Sequence, residues 1–279
     1  MRTAKTLDHY LAEWDLANPR LLNQTMTSRL YTVNHHADIV VLKVLEATET
    51  DERRGAAALR HFAGQGAVRL LRWDEGAHLL EYAAGDELVT LVERGDDAEA
   101  TRVIAQVIEQ LHGAPPPPPG EGLVRLEHWF RALFRQADAD REAGRESIYR
   151  RGAAVAERLL ATQRDIRVLH GDIHHRNIRS SARGWLAFDP KGLVGERTYD
   201  CANTLCNPEI PALVHNRERL LTQATILAEA LGLALPRVLA FTFAYACLNA
   251  SWWIALNGPD IVAWSLSVAR IVEPLLEPE

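Results

Sequence analysis

The chain has 279 residues, long for a single hydrophobic core and comfortable for two lobes or domains. It is 47% hydrophobic and 24% charged with a formal net charge of -6, so it lacks the basic surplus of a protein whose main task is gripping nucleic acid. Three cysteines, Cys201, Cys206 and Cys247, with no C-x-x-C among them, are too few for a disulfide framework.

The N-terminal stretch "MRTAKTLDHYLAEWD" has no apolar core and is not a signal peptide, which predicts a cytoplasmic protein. Ala37 to Leu45, "ADIVVLKVL", is a short β-branched run and reads as a strand. Thr48 with Asp51 resembles a capping box, and the Ala-rich stretch after it continues as a helix. Val68 to Trp73 and His78 to Tyr82 read as two strands around the turn "DEG". Beyond Gly85, the residues Val103, Ile104, Val107, Ile108 and Leu111 recur at helical spacing, and that helix stops at Gly113. "APPPPPG" follows as a stiff connector. Helices are expected over Leu126 to Ala143 and Ser147 to Ala161, short strands at Val168 to Leu169 and Trp185 to Phe188, and helix from Asn216 onward.

Leu239 to Leu256 carries no charge and just reaches the length of a membrane span. It contains Thr242, Tyr245, Asn249 and Ser251 and has no basic flank, so a buried core helix is expected and no membrane partner. The fold class is therefore α+β and bilobal. A small strand-rich lobe (1–84) and a larger, mainly helical lobe (85–279) meet at a connector near Tyr82 to Gly85.

Chemistry concentrates in "HGDIHHRN" and "FDPKG". Asp172 is followed after four residues by Asn177, and Asp189 stands twelve positions later at the end of "GWLAF". Phosphoryl transfer from a nucleotide needs a carboxylate for the proton of the attacking hydroxyl, hard oxygen ligands for Mg2+ and a cation on the phosphates. Asp172 fits the first role, and Asn177 with Asp189 the second. Lys43 in "VVLKV" is the candidate cation on a strand. Glu52 is the candidate carboxylate to hold it, with Glu46 and Glu49 as nearby rivals. "LLEY" and the small residues after it offer backbone groups at Glu81 and Ala83 to an adenine ring of ATP. His170 and His174 are spaced like half of a metal-binding helix motif, but Gly171 and Asp172 between them disfavour a helix and no third ligand is placed. His170 is expected to order the loop, and His174 and His175 are candidates for substrate contact. Asp200 and Glu196 are candidates to face an amine or guanidinium group of the acceptor. Lys191 reads either as a phosphate contact or as a loop cap.

The order Lys43, Glu52, "LLEYAAG", Leu111–His112, "HGDIHHRN" and "FDPKG" resembles the aminoglycoside phosphotransferase family over nearly the whole chain. "GQGAVRLL", "GWLAFDPKGLVGE", "YDCAN" and "DERRGA" are similar to the branch of streptomycin 6-kinases and aminoglycoside/hydroxyurea resistance kinases, where the segment matching "DERRGA" carries the helix glutamate. The resemblance implies a protein-kinase-like fold, ATP, Mg2+ and phosphorylation of a hydroxyl on a small molecule, with streptomycin the leading acceptor. It places Trp252, Trp253 and Asp260 where the family binds acceptors; at least one of the two tryptophans is expected to pack in the core instead. One departure is the absence of a glycine-rich phosphate loop: the corresponding "NQTMTSRLYTV" has no glycine, leaving Ser28, Thr27 and backbone amides as candidate phosphate contacts. Another is Arg176, a positive charge beside Asn177. Two alternatives stay open: a kinase of an ordinary metabolite, and a non-catalytic nucleotide-binding regulatory module. The expected partner is the small-molecule acceptor, the expected state a monomer or dimer.

Overall fold

Leu7–Glu13 (α1), Leu16–Gln24 (β1), Ser28–His35 (β2), Asp38–Leu45 (β3), Thr50–Phe62 (α2), Leu70–Trp73 (β4) and Ala77–Glu81 (β5) build the first part of the molecule. The structure, a computed structural model, describes residues 6–25, 27–46, 50–114, 122–256 and 258–276, with backbone only at 50–53 and 255. The strands form one antiparallel sheet in the order β1-β2-β3-β5-β4. Side chains alternate between the faces of a strand, and β3 shows what that does. Val40, Leu42 and Val44 join a small core under α1 with Tyr10, Trp14 and Leu79. Val41, on the opposite face, joins the main core. Lys43 shares that second face, so register alone turns it toward the rest of the molecule. The turn after β4 is closed by Asp74, whose Oδ1 accepts from Gly76 N (2.7 Å), Ala77 N (2.9 Å) and Tyr10 Oη (2.8 Å). The capping-box residue Thr48 lies outside the described residues.

The second part runs through Val89–Glu93 (α3), Asp97–His112 (α4), Val124–Arg125 (β6), Leu126–Trp129 (α5), Arg131–Glu142 (α6), Ile148–Ala161 (α7), Ile166–Leu169 (β7), Ile178–Ser181 (β8), Gly184–Ala187 (β9) and Leu193–Glu196 (β10). It ends with Asp200–Leu205 (α8), Pro211–Val214 (α9), Arg217–Leu231 (α10), Leu235–Ala255 (α11) and Pro259–Val272 (α12). The single helix expected over 126–143 is divided at Phe130, where ψ opens to -1° while its N–H still reaches Leu126 O at 3.0 Å. Ser147 caps α7 by accepting from Arg150 N, and Asn216 caps α10 by accepting from Arg219 N. α4 buries the stripe Val103, Ile104, Val107, Ile108 and Leu111 that its periodicity predicts. α11 carries the uncharged run; Phe241, Phe243, Ala246 and Leu248 are fully or almost fully buried, as a helix apolar on all sides requires. Among the described residues no helix is long and apolar enough to cross a membrane.

The two parts share one core, which runs from Val41, Phe62 and Leu80 through Ile104 and Ile108 to Phe241. The β8–β9 hairpin fastens them along one side. Val68 N donates to Ala187 O (3.0 Å), Ala187 N to Gly66 O (2.8 Å), and Gly85 N to Ser180 O (3.0 Å). Those bonds hold the connector and the hairpin together and leave the loops that follow β7 and β9 facing Lys43.

Candidate active site

β7 ends at Leu169 and the chain turns sharply at Gly171, whose φ is 80° and where a Cβ would meet the Leu193 side chain at 2.7 Å. The turn is fixed from below by Asp200, the first residue of α8, which is 1% exposed. Its carboxylate accepts from His170 N (2.9 Å), Gly171 N (2.7 Å) and His112 Nε2 (2.9 Å). Burial works against the charged form of Asp200, but the bond from His112 and the loop amides outweigh it and hold the carboxyl below the ordinary range. Burial pushes His170 toward the neutral form. A neutral ring with its proton on Nε2 serves both of its contacts: Nε2 donates to Phe188 O (3.0 Å) and Nδ1 accepts from Asp172 N (3.3 Å). His170 therefore pins the loop carrying Asp172 to the strand leading into Asp189, and neither nitrogen is left for a metal.

The Asp172 carboxylate is held on both oxygens. Asn203 Nδ2 donates to Oδ1 at 2.7 Å, and Asn207 Nδ2 holds Asn203 Oδ1 at 2.9 Å. Lys191 Nζ lies 3.1 Å from Oδ2, and Asn177 Nδ2 reaches the Asp172 backbone oxygen at 2.9 Å and Oδ2 at 3.3 Å. Asn203 was not singled out from sequence; it lies within "YDCAN", a segment quoted above only for its resemblance.

Asp189 sits in the left-handed region at φ 63°, a conformation that a short polar side chain tolerates. Its Oδ1 accepts from Lys43 Nζ at 2.5 Å and its Oδ2 from Lys191 Nζ at 3.2 Å. Burial opposes ionisation of Asp189, but the two ammonium groups prevail and hold its carboxyl well below the usual range. Across the sheet from Lys43, His78 is pushed down to about 4, by burial first and by the Lys43 charge second. The 189–192 loop is pressed against α2. A Cβ on Gly55 would meet Pro190 O at 2.6 Å, and one on Gly192 would collide with the Arg54 backbone. Gly55→Ala must therefore push the loop away from α2; the expected loss is about 1–3 kcal/mol of stability, the usual scale for overpacking, read by thermal unfolding.

Three cavities surround these groups. An inner cavity of ≈ 440 Å³ lies between the sheet and the 189–191 loop and is lined by Lys43, Asn177 and Asp189. An outer cavity of ≈ 700 Å³ has Asp172 at its floor and Trp129, Tyr245, Trp252 and Trp253 among its walls. A third, of ≈ 210 Å³, opens on Asp172 from the other side past His174, Asn203 and Glu209. The glycine-free segment forms the tip of the β1–β2 hairpin. Thr25 closes the tip in place of glycine: its Oγ1 accepts from Thr27 N (3.2 Å) and Ser28 N (3.0 Å), while Thr25 N donates to Ser28 O (2.9 Å). Thr25, Thr27 and Ser28 line the inner cavity.

The sequence-derived candidates divide accordingly. Asp172, Asn177, Asp189, Lys43 and Ser28 are brought together, although the Ser28 hydroxyl is buried against Thr25 Oγ1 at 3.2 Å. Lys43 meets Asp189; Glu49 and the Glu52 side chain lie outside the described residues, and Glu46 pairs with Arg29 at 3.4 Å. His174 lines the third cavity and Trp252 the outer one, where Trp252 packs edge-on to Trp129 at 5.0 Å. His175 is 1% exposed and turned away from these cavities. Two candidates need correction. Asp200 does not face an acceptor: it is enclosed under the loop that begins at His170. Glu196 is likewise 2% exposed, bound to Thr198 Oγ1 (2.8 Å), Arg164 N (3.1 Å) and the Arg237 guanidinium (2.5 Å). Charge was visible in the sequence, burial was not. The Glu81 carboxylate is taken by Arg183 (2.8 and 2.6 Å) and Arg69 N (3.0 Å), and its backbone N–H donates to Arg69 O (2.9 Å). Arg176 is exposed, 3.5 Å from Glu87, and does not reach Asp172.

The donor set suits a small hard cation. The nitrogen of the Asn177 amide is committed to Asp172, which turns its oxygen to the inner cavity beside Asp189. Among the described residues no group of three or more His, Cys, Asp or Glu is placed to enclose a metal, so a magnesium ion there would take its remaining ligands from phosphate and water.

The model of the family "Aminoglycoside/hydroxyurea antibiotic resistance kinase" matches residues 13–256. A streptomycin 3''-kinase of Klebsiella pneumoniae is 35% identical over 250 residues, covering 88% of this chain and 91% of the relative. A streptomycin 6-kinase of Streptomyces griseus is 33% identical over 230 residues, covering 79% and 72%. A hydroxyurea phosphotransferase of Kitasatospora aureofaciens is 33% identical, covering 94% and 76%. Among solved structures, the aminoglycoside phosphotransferase APH(4)-Ia with AMP-PNP and hygromycin B superposes with a TM-score of 0.67 at 16% identity, covering 96% of this chain and 98% of that one. An ethanolamine kinase of Plasmodium vivax gives 0.64 at 13%, covering 95% and 83%. The fold is protein-kinase-like. The chain belongs to the aminoglycoside/hydroxyurea antibiotic resistance kinase family and is a phosphotransferase.

Proposed function

We propose that the chain transfers the γ-phosphate of ATP, with magnesium, to a hydroxyl of a small molecule, and that the acceptor is an aminoglycoside of the streptomycin type. The observation that carries this reading is the placement of Asp172. Asp172 lines the outer and the third cavity, while Asn177, Asp189 and Lys43 line the inner one. In-line transfer needs that division, with the attacking oxygen on one side of the phosphoryl group and the nucleotide on the other. Asp172 accepts the hydroxyl proton, held by Asn203 in the orientation that meets the acceptor. Lys43 with Thr25, Thr27 and Ser28 takes the phosphates. Asn177 and Asp189 hold magnesium, which when bound neutralises charge on the β- and γ-phosphates.

The Glu81 backbone oxygen and the Ala83 backbone receive the adenine edge. Arg183 supports that stretch by bridging Glu81 to Gly64 O (2.9 Å) and Ala67 O (3.1 Å). Arg183→Ala is expected to raise the KM for ATP about tenfold, the cost of one mispositioned binding element, with kcat changed little; steady-state kinetics over ATP concentration checks it.

The streptomycin kinases among the relatives support an aminoglycoside acceptor, as do the tryptophan faces of the outer cavity, which suit planar cations and sugar rings. Glu209 adds a carboxylate in the third cavity. One observation favours a second reading, an ordinary uncharged metabolite: among the described residues Asp172 is the only carboxylate lining the outer cavity, and Arg135 and Lys191 put cations there. Mass spectrometry of an acceptor panel separates them. Streptomycin gaining one phosphate supports the first reading; phosphorylation of neutral polyols alone supports the second; no phosphorylated product from any acceptor sinks both.

A further inference from the structure

We infer that Lys191 is a catalytic residue of this phosphotransferase, whose ammonium contacts the phosphoryl group as it passes from nucleotide to acceptor. The inference rests on the kinase reading of the site and adds a residue to it. Among the described residues Thr27, Pro190 and Lys191 line both the inner and the outer cavity, and of these Lys191 alone carries a charge. Its Nζ stands 3.1 Å from Asp172 Oδ2 and 3.2 Å from Asp189 Oδ2. One cation thus touches both the carboxylate assigned to the acceptor proton and the carboxylate assigned to the metal. A group transferred between those two sides passes within reach of that ammonium.

The other cations are placed differently. Lys43 reaches the opposite oxygen of Asp189 from the sheet side and lines only the inner cavity. Arg135 lines only the outer cavity, and Arg176, 3.5 Å from Glu87, lines only the third. The Lys191 backbone is tied to the catalytic loop, its N–H donating to His170 O at 2.7 Å, so its position is set by the same frame as Asp172. The four-carbon stem gives the ammonium freedom to follow the phosphoryl oxygens.

In the step itself, the bond from the γ-phosphorus to the bridging oxygen breaks and its electron pair leaves on the nucleoside diphosphate. The acceptor oxygen forms its new bond to phosphorus, and the hydroxyl proton moves to Asp172. Lys191 gives and takes no proton. It faces the negative charge that spreads over the equatorial oxygens, the task that a trans-acting arginine performs in other phosphoryl transfers.

The test is Lys191→Cys, assayed before and after alkylation. The native thiols Cys201, Cys206 and Cys247 are buried, whereas the Lys191 side chain is 31% exposed, so reagent acts at 191 first. We expect K191C to lose kcat about 100- to 1000-fold, the scale for removing one such electrostatic donor, with KM for ATP within about threefold. Aminoethylation with 2-bromoethylamine should restore about a tenth or more of wild-type kcat, while carbamidomethylation, neutral and similar in length, restores none. Recovery that ignores charge, or a K191C enzyme with wild-type kcat, overturns the inference. Should K191C fail to bind AMP-PNP, Lys191→Gln carries the same expectation; if both fail to bind it, Lys191 is a structural bridge and the inference falls. Absence of transfer by the wild type in the same assay would instead sink the kinase reading beneath it.

Discussion

Asp172→Asn is expected to bind nucleotide like the wild type and to lose roughly a thousandfold in kcat, within the range for removing a general base. The side chain keeps its shape, and Asn203, Asn177 and Lys191 still surround it. What disappears, on the proposed roles, is the acceptor for the hydroxyl proton and the negative charge that orients the hydroxyl. The paired measurement is AMP-PNP binding by calorimetry and phosphate transfer by rapid quench. Unchanged affinity with collapsed transfer supports the assignment. Full activity in D172N would remove Asp172 from the chemistry.

Asp200→Ala is expected to act on folding rather than on acceptor binding. The carboxylate satisfies two buried loop amides and the buried His112 ring, all at 2.7–2.9 Å. Each of these three orphaned buried donors costs about 1–3 kcal/mol, so a loss of about 3–9 kcal/mol is expected against a typical total of about 5–15. Thermal unfolding reads it directly. The pH dependence has a defined sign. The folded-state carboxyl lies below its unfolded value of about 3.9, so its contribution is fully present above that pH and is lost as pH falls through the folded value. Asp200→Asn should therefore flatten the acid limb of the stability profile. A D200A protein that melts like the wild type and shows only a raised KM for acceptor would return Asp200 to the substrate site.

Much of this arrangement was legible before any coordinates. α4 announces itself because it buries one face and period 3.6 survives in its residues, whereas β3 and α11 are buried on more than one side and show as unbroken apolar runs. The spacing of Asp172, Asn177 and Asp189 was legible for a different reason: the three flank one short β-hairpin, so chain order nearly fixes their proximity. The β1–β2 hairpin was not. Along β1 only Leu16 is buried, and an exposed edge strand holding Asn18 and Pro19 leaves no alternation to read. Asp200 and Glu196 were misread because their partners are distant in sequence. His112 stands 88 positions before Asp200, and Arg237 stands 41 after Glu196. Asn203 was missed on the same ground, since an asparagine 31 residues from Asp172 has no local signature that separates it from a helix residue.

The most direct test of the account is 31P NMR of the wild-type enzyme with magnesium-ATP and streptomycin. The account predicts that the γ-phosphate signal is replaced one for one by ADP and a new phosphomonoester of the antibiotic, and that the conversion stops when magnesium is chelated. ATP consumed with only inorganic phosphate appearing, whatever hydroxyl compound is supplied, would contradict a site built to pass a phosphoryl group from one cavity to the next.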